Sequence, residues 1–429
     1  MTTSEFILQH RLSNPRDLAL QARRYPDVDM PYALNQIQGW QTARQKLPSW
    51  ASCDGVVYPP HLNMEQCSSE PTARYKQEVA LRWLNKLGVG HGGATTSMAD
   101  LTGGFGVDFS FTSRCFASAT YVERNSSLCD VVSGNLPRLG ISNANVVCAE
   151  AEDYLATMPQ QTMLFLDPAR RDEHGAKTVL MADCTPDVCR LLPQLMSKAR
   201  FVMLKLSPML DWHKAIADLK GTVDEVHIVS VGGECKELLL VLTGKVSVSS
   251  VDSGSLENGV RVYCVDIMPK AEADGEYKRS EFCYTIGGAA DNPPTLNPQP
   301  STPNSQLSTL NSQFLFEPNA SIMKAGCFAE LSQVYGVEAI GPNSHLFVSS
   351  GRVEQFPGRK FAIEAVCTLN KRQLKQTLGT LKQANIAVRN FPMSVAELRK
   401  RLKLRDGGDT YIFATTTMEG EHVLIICRK

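Results

Sequence analysis

The chain has 429 residues, 43% hydrophobic and 21% charged, and its Lys+Arg and Asp+Glu counts are both 44, so its formal net charge is zero. That length and composition predict two or three soluble globular domains with ample material for a core. The balance excludes a chain that is basic throughout, but it leaves room for a local basic face.

Residues 1–90 read as a helical N-terminal region. The opening MTTSEFILQHRLSNPRD is polar and charged and has no apolar signal core. No uninterrupted apolar run reaches the roughly 18 residues of a membrane span. The thirteen cysteines are scattered and form no CxxC pair. Together these features predict a cytoplasmic protein with no membrane segment, no metal and no disulfide framework. Residues 15–25, 30–47 and 71–88 space apolar residues by three and four, as amphipathic helices do, and Gly88 is a plausible stop for the last.

From 91 to 245 the pattern changes to short apolar runs alternating with helical stretches. SMADL, ATYVE, NVVCA, TMLFLD, RFVMLKL, EVHIVSV and KELLLVL read as strands. Such alternation predicts an α/β domain with a mostly parallel sheet covered on both faces. Only GGEC separates the last two strands, so they should close the sheet as an antiparallel hairpin. Residues 246–284 read as a β-rich connecting segment. Residues 285–312, rich in Pro, Asn, Ser, Thr and Gln and almost uncharged, read as a disordered low-complexity insertion. Residues 313–429 form a second, smaller α/β unit. In it 360–369 is a strand, 370–386 a helix, 386–391 a strand, 394–404 a helix, and 410–417 and 422–428 are strands. Ser394 and Glu397 form a capping box, and Gly407 follows the helix end.

The stretch ADLTGGFGVDFSF, residues 99–111, carries the first chemical signal. A dinucleotide turn would continue as G-x-G-x-x-G, but the third position is Phe109, and a phosphate loop would end in Gly-Lys-Ser/Thr, which is absent. S-adenosyl-L-methionine, which has no phosphate, fits better. Asp100 ends the first strand and can hold a cationic amino group, and the glycine turn lets backbone approach the ligand. Glu123 ends the second strand, at a spacing near the roughly 20 residues expected of an acid that takes ribose hydroxyls. Glu150, with Asp153 as a second candidate, follows the third strand and can meet the adenine amino group. Taken singly, Asp100 reads more simply as a turn cap and Glu123 and Glu150 as solvated side chains; their recurrence at successive strand ends is the signal.

With these residues in view, the 97–243 region resembles a class I S-adenosylmethionine-dependent methyltransferase. DLTGGFG matches motif I, YVERN motif II, AEAEDYL motif III and LDPARR motif IV. The helix 127–141, with Asn135 and Leu139-Gly140, resembles the family's segment between motifs II and III. EQCSSEPTARYK upstream and RNFPMSVAELRKRLKLRDGGDTYIFATT downstream are similar to bacterial methyltransferases with a THUMP-like C-terminal domain, and the likeness spans nearly the whole chain outside the insertion. Residues 65–170 also look similar to cap-trimethylguanosine synthases. The resemblance implies a Rossmann-like sheet, cofactor contacts at Asp100, Thr102, Gly104, Gly106, Glu123 and Glu150, and a cofactor-facing helix start with Ser69 and Thr72. For Ser69, a simple N-cap before Pro71 is an equal alternative.

LFLDPARR follows the fourth strand, so Asp167 should project toward the methyl group, because ligands of such sheets sit beyond the strands' carboxyl ends. Amino-group methyltransferases read Asp/Asn-Pro-Pro-aromatic here. In this chain Ala169 replaces the second proline and Arg170 the aromatic, so Arg170 or Arg171 could contact a phosphate or stack as a guanidinium plane instead. The uracil-C5 enzymes need a cysteine after strand five, where LKLSPML has none, which leaves direct in-line displacement with Asp167 as orienter or proton acceptor. Lys205 could face this cleft or serve as a surface anchor.

Arg389, Arg399, Lys400, Arg401, Lys403 and Arg405 crowd one segment that holds a single acid, and Lys371, Arg372, Lys375 and Lys382 add to it. Such a face suits a phosphate backbone or is merely solvated. The THUMP-like resemblance implies an RNA substrate, tRNA or rRNA. A protein or small-molecule acceptor, and less readily a nicotinamide enzyme with a degenerate turn, are the alternatives. The sequence leaves the oligomeric state, the methylated atom and the role of the insertion open.

Overall fold

The computed structural model describes residues 1–90, 95–170, 181–244, 259–271, 276–287 and 313–429. Most of the 285–312 insertion lies outside the described residues, as does Arg171. The described residues fall into two compact units. The first is drawn from Met1–Val231, Lys236–Leu256 and Pro269–Tyr277, and the second from Gly232–Cys235, Glu257–Met268 and Lys278–Lys429.

The first unit begins with helices α1 (Thr3–His10), α2 (Pro15–Leu20), α3 (Met30–Lys46), α4 (Pro48–Ala51), α5 (His61–Gln66) and α6 (Glu70–Lys86). Proline stands in the first turn of α2, α3, α4 and α6, where its missing N–H costs nothing. Gly88 adopts φ +68° just past α6, which ends that helix where the sequence predicts. Trp50, Val56, Tyr58 and Met64 from this region pack with Phe105, Val107 and Phe111 in one core cluster, which presses the helical layer onto the glycine turn.

The sheet follows: β1 (Ser97–Asp100), β2 (Ser118–Glu123), β3 (Ala144–Cys148), β4 (Gln161–Leu166), β5 (Ala199–Leu206), β6 (Val223–Val231) and β7 (Glu234–Leu242). Between its strands run α7 (Val107–Thr112), α8 (Ser126–Arg138), α9 (Ala151–Thr157), α10 (Val188–Lys198) and α11 (Trp212–Asp218). The order within this unit is β3-β2-β1-β4-β5-β7-β6. β1 pairs in parallel with both β2 and β4, and β4 pairs in parallel with β5, while β7 runs antiparallel to β5. This is the mixed sheet expected from the alternation and the GGEC turn. Its order reverses beside β1, so the carboxyl ends of β1, β2, β3 and β4 open onto one crevice.

A buried polar knot ties α6 to β6. Glu225 Oε2 accepts hydrogen bonds from Arg82 Nη2 at 2.6 Å and Trp83 Nε1 at 2.8 Å and lies 3.3 Å from His227 Nε2; His227 Nδ1 meets Tyr75 Oη at 2.8 Å. Burial would raise the Glu225 carboxyl, but the His227 hydrogen bond and charge, Arg82 and Trp83 outweigh it and hold it at about 2. A folded value below the unfolded one gives stability that is present above the unfolded pKa and lost as pH falls toward the folded value. We therefore expect wild type to lose up to about 3 kcal/mol through this group between roughly pH 4.5 and 2. Urea midpoints against pH check it: Glu225→Gln should be weaker at pH 7 and show a shallower acid slope, by one proton.

The second unit starts with the antiparallel pair β8 (Val260–Ile267) and β9 (Arg279–Ile286). After it come β10 (Phe314–Pro318), α12 (Ala320–Ala325), α13 (Phe328–Tyr335), β11 (Glu338–Ala339), β12 (Phe347–Ser349), β13 (Gly358–Thr368), α14 (Lys371–Leu378), β14 (Asn385–Arg389), α15 (Val395–Leu402), β15 (Thr410–Thr416) and β16 (His422–Arg428). The last seven strands form a sheet in the order β11-β12-β10-β13-β16-β15-β14. Two features differ from expectation. The helix predicted over 370–386 ends at Leu378, because Ala384 must turn inward and Asn385 must enter β14 beside Tyr411. Lys403, at φ +57°, closes α15, not Gly407, since Leu404 drops straight into the core.

Candidate functional site

One crevice of about 770 Å³ opens at the carboxyl ends of the first unit's strands. That lies within the 300–1,000 Å³ typical of small-molecule sites. Asp100, Thr102, Gly104, Gly106, Glu123, Glu150 and Asp167 all line it.

The glycine turn is built by close packing. A Cβ on Gly103 would lie 2.1 Å from the Tyr121 ring, so that ring can sit under the turn only if residue 103 is glycine. Tyr121 Oη donates to Gly104 O at 2.5 Å. Gly106 takes φ +79° at the N-cap of α7, a conformation that disfavours other residues. Glu123 reaches back from the end of β2. Its Oε2 accepts the Gly104 N–H and its Oε1 the Asn125 N–H, both at 2.9 Å. Its backbone carbonyl accepts the Ala149 N–H, which ties it to the β3 exit just before Glu150.

Asp100 is buried, and its Oδ1 accepts the Thr102 N–H at 3.0 Å. Burial pushes its carboxyl well above the usual range; the Thr102 N–H counters this, while Asp108, Asp167 and Glu123 add to it. Thr102 also links the turn to β4, since its Oγ1 accepts the Asp167 N–H at 2.6 Å. Glu150, exposed, stands at the N-cap of α9 without making a side-chain cap bond.

Of the other expected residues, some sit elsewhere and some lie outside the described residues. Ser69 holds the N-cap position of α6 without capping it and lies 3.3 Å from Thr72 Oγ1, which donates to Ser69 O. Neither lines the crevice; the neighbouring Ser68 does. Arg170 pairs through its backbone with Cys184, and its side chain, like Arg171, lies outside the described residues. In the second unit Lys400, Arg401, Lys403 and Arg405 are exposed. Arg389 is ion-paired to buried Glu317 at 2.7 Å and Arg399 to Asp406 at 2.5 Å, so both are committed within the fold.

The structure decides the place of Lys205, which the sequence left between cleft and surface, and adds three charged residues behind it that sequence reasoning missed. Lys205, on β5, reaches the crevice floor and pairs with Asp167 Oδ2 at 2.6 Å. It is not a surface anchor. Behind it stand Asp108, which accepts from Ser68 Oγ at 2.7 Å, and the fully buried Lys76, clasped by Glu237 at 2.5 and 2.6 Å. A signal for Lys76 did exist: it lies on the apolar stripe of Thr72, Ala73, Val79, Ala80 and Trp83 that buries α6. Overall the described lining carries six carboxylates against three cations, Arg124, Lys205 and Lys236.

Two domain families match the second unit: residues 314–357 match one described as a ferredoxin-like domain and residues 358–429 one described as THUMP domain-like. No curated protein matches the chain. Among solved structures, a "putative methyltransferase" from Porphyromonas gingivalis W83 aligns with 93% of this chain and 90% of its own, at 28% identity and a TM-score of 0.74. An rRNA methylase from Streptococcus thermophilus aligns with 41% of this chain and 98% of its own, at 11% identity and a TM-score of 0.30. Precorrin-6y C5,15-methyltransferase from Geobacter metallireducens GS-15 aligns with 39% and 88%, at 16% identity and a TM-score of 0.29.

Proposed function

We propose that this chain, a class I methyltransferase-fold protein with a THUMP-like C-terminal domain, uses S-adenosyl-L-methionine to methylate a base of tRNA or rRNA by direct in-line displacement. One observation carries the cofactor reading: carboxylates at the ends of three neighbouring strands, Asp100, Glu123 and Glu150, share a crevice with a glycine turn.

The residues fit that cofactor. Glu123 retains lone pairs beyond its two backbone bonds and would accept both ribose hydroxyls; Asp100 would accept the amino group, Glu150 the adenine amine, and the Gly103–Gly106 backbone would lie against the ligand. When bound, the cofactor supplies an electrophilic methyl group on a sulfonium sulfur. The excess of carboxylates favours such a cation and opposes the pyrophosphate of a nicotinamide dinucleotide. Asp167 would accept a hydrogen bond from the attacking group and orient it. The exposed basic residues Lys400, Arg401, Lys403 and Arg405 support an RNA partner.

Isothermal titration tests the cofactor, with binding of S-adenosylmethionine expected and binding of NAD not. Asp100→Ala and Glu123→Ala should each weaken binding about 10- to 100-fold, the worth of hydrogen bonds to a charged group. Because burial raises the Asp100 carboxyl, a cationic ligand should draw it into the ionised form and release a proton. Affinity should then rise with pH, and the binding enthalpy should change with the buffer's ionisation enthalpy; enthalpies identical across buffers would contradict this. Nucleoside mass spectrometry of RNA from cells with and without the gene tests the substrate. A flatter salt dependence of RNA binding when Lys400, Arg401, Lys403 and Arg405 become glutamine would support the basic face.

A further inference from the structure

We propose that Lys205 is a positioning residue of the reaction site, fixing the Asp167 carboxylate at the crevice floor, and that a buried chain of alternating charge, Glu237–Lys76–Asp108, fixes Lys205 in turn. The charges alternate from the interior to the cleft. Glu237 holds Lys76 Nζ at 2.5 and 2.6 Å; Lys76 lies 3.2 Å from Asp108 Oδ1; Asp108 Oδ2 lies 3.6 Å from Lys205 Nζ; and Lys205 Nζ is 2.6 Å from Asp167 Oδ2. Asp167 is thereby gripped at two points, its N–H by Thr102 Oγ1 and its Oδ2 by Lys205. Two such points set both the position and the plane of the carboxylate.

Stability does not explain this arrangement. The Lys76 side chain is wholly buried, Glu237 is 3% exposed, and Lys205 and Asp108 are about a tenth exposed. Well-packed apolar side chains of similar volume serve stability as well as or better than buried ion pairs. The four inner charges cancel, so the network ends on one surplus carboxylate, Asp167, and that residue alone of the five is substantially open to the crevice, at 39% exposure. Burial acts to lower Lys205, yet Asp167, Asp108 and Glu237 outweigh it and keep the ammonium protonated. It therefore serves as a fixed donor to Asp167 and not as a base. What Asp167 does there rests on the methyl-transfer reading; where Asp167 is held does not.

The test uses the full chain with Lys205→Met, Lys205→Arg and Asp108→Asn, with melting temperatures to confirm folding. Crystal structures should show the Asp167 carboxylate displaced or split between rotamers in Lys205→Met and returned to its wild-type place in Lys205→Arg. S-adenosylmethionine affinity should stay within about twofold. With RNA from cells lacking the gene as acceptor, kcat should fall on the order of 100-fold in Lys205→Met, the scale of a 1 Å misplacement, with the cofactor KM unchanged and most of the loss recovered in Lys205→Arg. If Lys205→Met does not fold, Asp108→Asn answers the same question: without its inner carboxylate the Lys205 ammonium loses one of its two anchors, so Lys205 and the Asp167 carboxylate paired with it should both spread over more than one position. An Asp167 that keeps its place without its partner would overturn the proposal. Should wild type bind no S-adenosylmethionine, the cofactor reading fails, while the position of Asp167 in the crystals still decides this one.

Discussion

Asp167→Ala is expected to cut methyl-transfer turnover by about 10²–10⁴-fold while leaving S-adenosylmethionine affinity within a few-fold of wild type. Asp167 stands at the end of β4, in the same crevice as Asp100 and Glu123 but outside the glycine turn. It would act on the attacking group, so its loss should fall on kcat. The backbone hydrogen bond to Thr102 is retained in the alanine variant, so the turn should keep its shape. Asp167→Asn sharpens the test. It preserves a hydrogen-bond acceptor but not the charge facing Lys205 at 2.6 Å, and should fall between wild type and alanine. Initial rates with tritiated cofactor and RNA lacking the modification, alongside titration of the cofactor, separate the two effects. Full activity in Asp167→Ala would remove this residue from the reaction.

Lys76→Met should be the most damaging change to stability, costing about 3–5 kcal/mol, because it leaves Glu237 and Asp108 buried without their cation. Glu237 is held above the usual carboxylate range by burial, with Lys76 and Lys205 opposing it; removing Lys76 leaves the burial penalty less opposed. Asp108 behaves differently. Burial would raise it, but Lys76, Lys205 and Ser68 outweigh that and keep it below the usual range. Pairing the change with Glu237→Met should recover a large part of the loss, since the more deeply buried of the two stranded carboxylates is then gone and Asp108 still faces Lys205 at 3.6 Å. Denaturant unfolding of the two single variants and the double variant forms the cycle, and additive losses would show that the pair does not couple.

Strand ends were readable because apolar runs of four to eight residues announce them, and the acids that close them stand one step beyond. Asp100, Glu123, Glu150 and Asp167 were found this way, and the GGEC turn announced the β6–β7 hairpin. Lys205 was harder to place. A lysine after VML reads as a strand end turning to solvent, and only the fold shows that Asp108 and Asp167 meet it there. Lys76 and Glu237 lie 161 residues apart, so no local pattern joins them. Ser69 and Thr72 illustrate the reverse: proximity to a motif placed them at the cofactor, whereas the turn into α6 aims Ser68 at the crevice instead. In the second unit, residues 314–349 hide β10, α12, α13, β11 and β12 because these elements are short and their strands pair across long gaps, as Phe314 does with Ala362. Arg389 and Arg399 looked like free cations in the sequence, but their carboxylate partners, Glu317 and Asp406, come from other elements.

A crystal structure of the full chain with S-adenosylhomocysteine tests the central claim most directly. The account predicts the nucleoside in the crevice beside Gly103–Gly106, both ribose hydroxyls on Glu123, the amino group near Asp100 and the adenine amine near Glu150. A ligand bound elsewhere, or bound here with those three carboxylates turned away from it, would contradict the account.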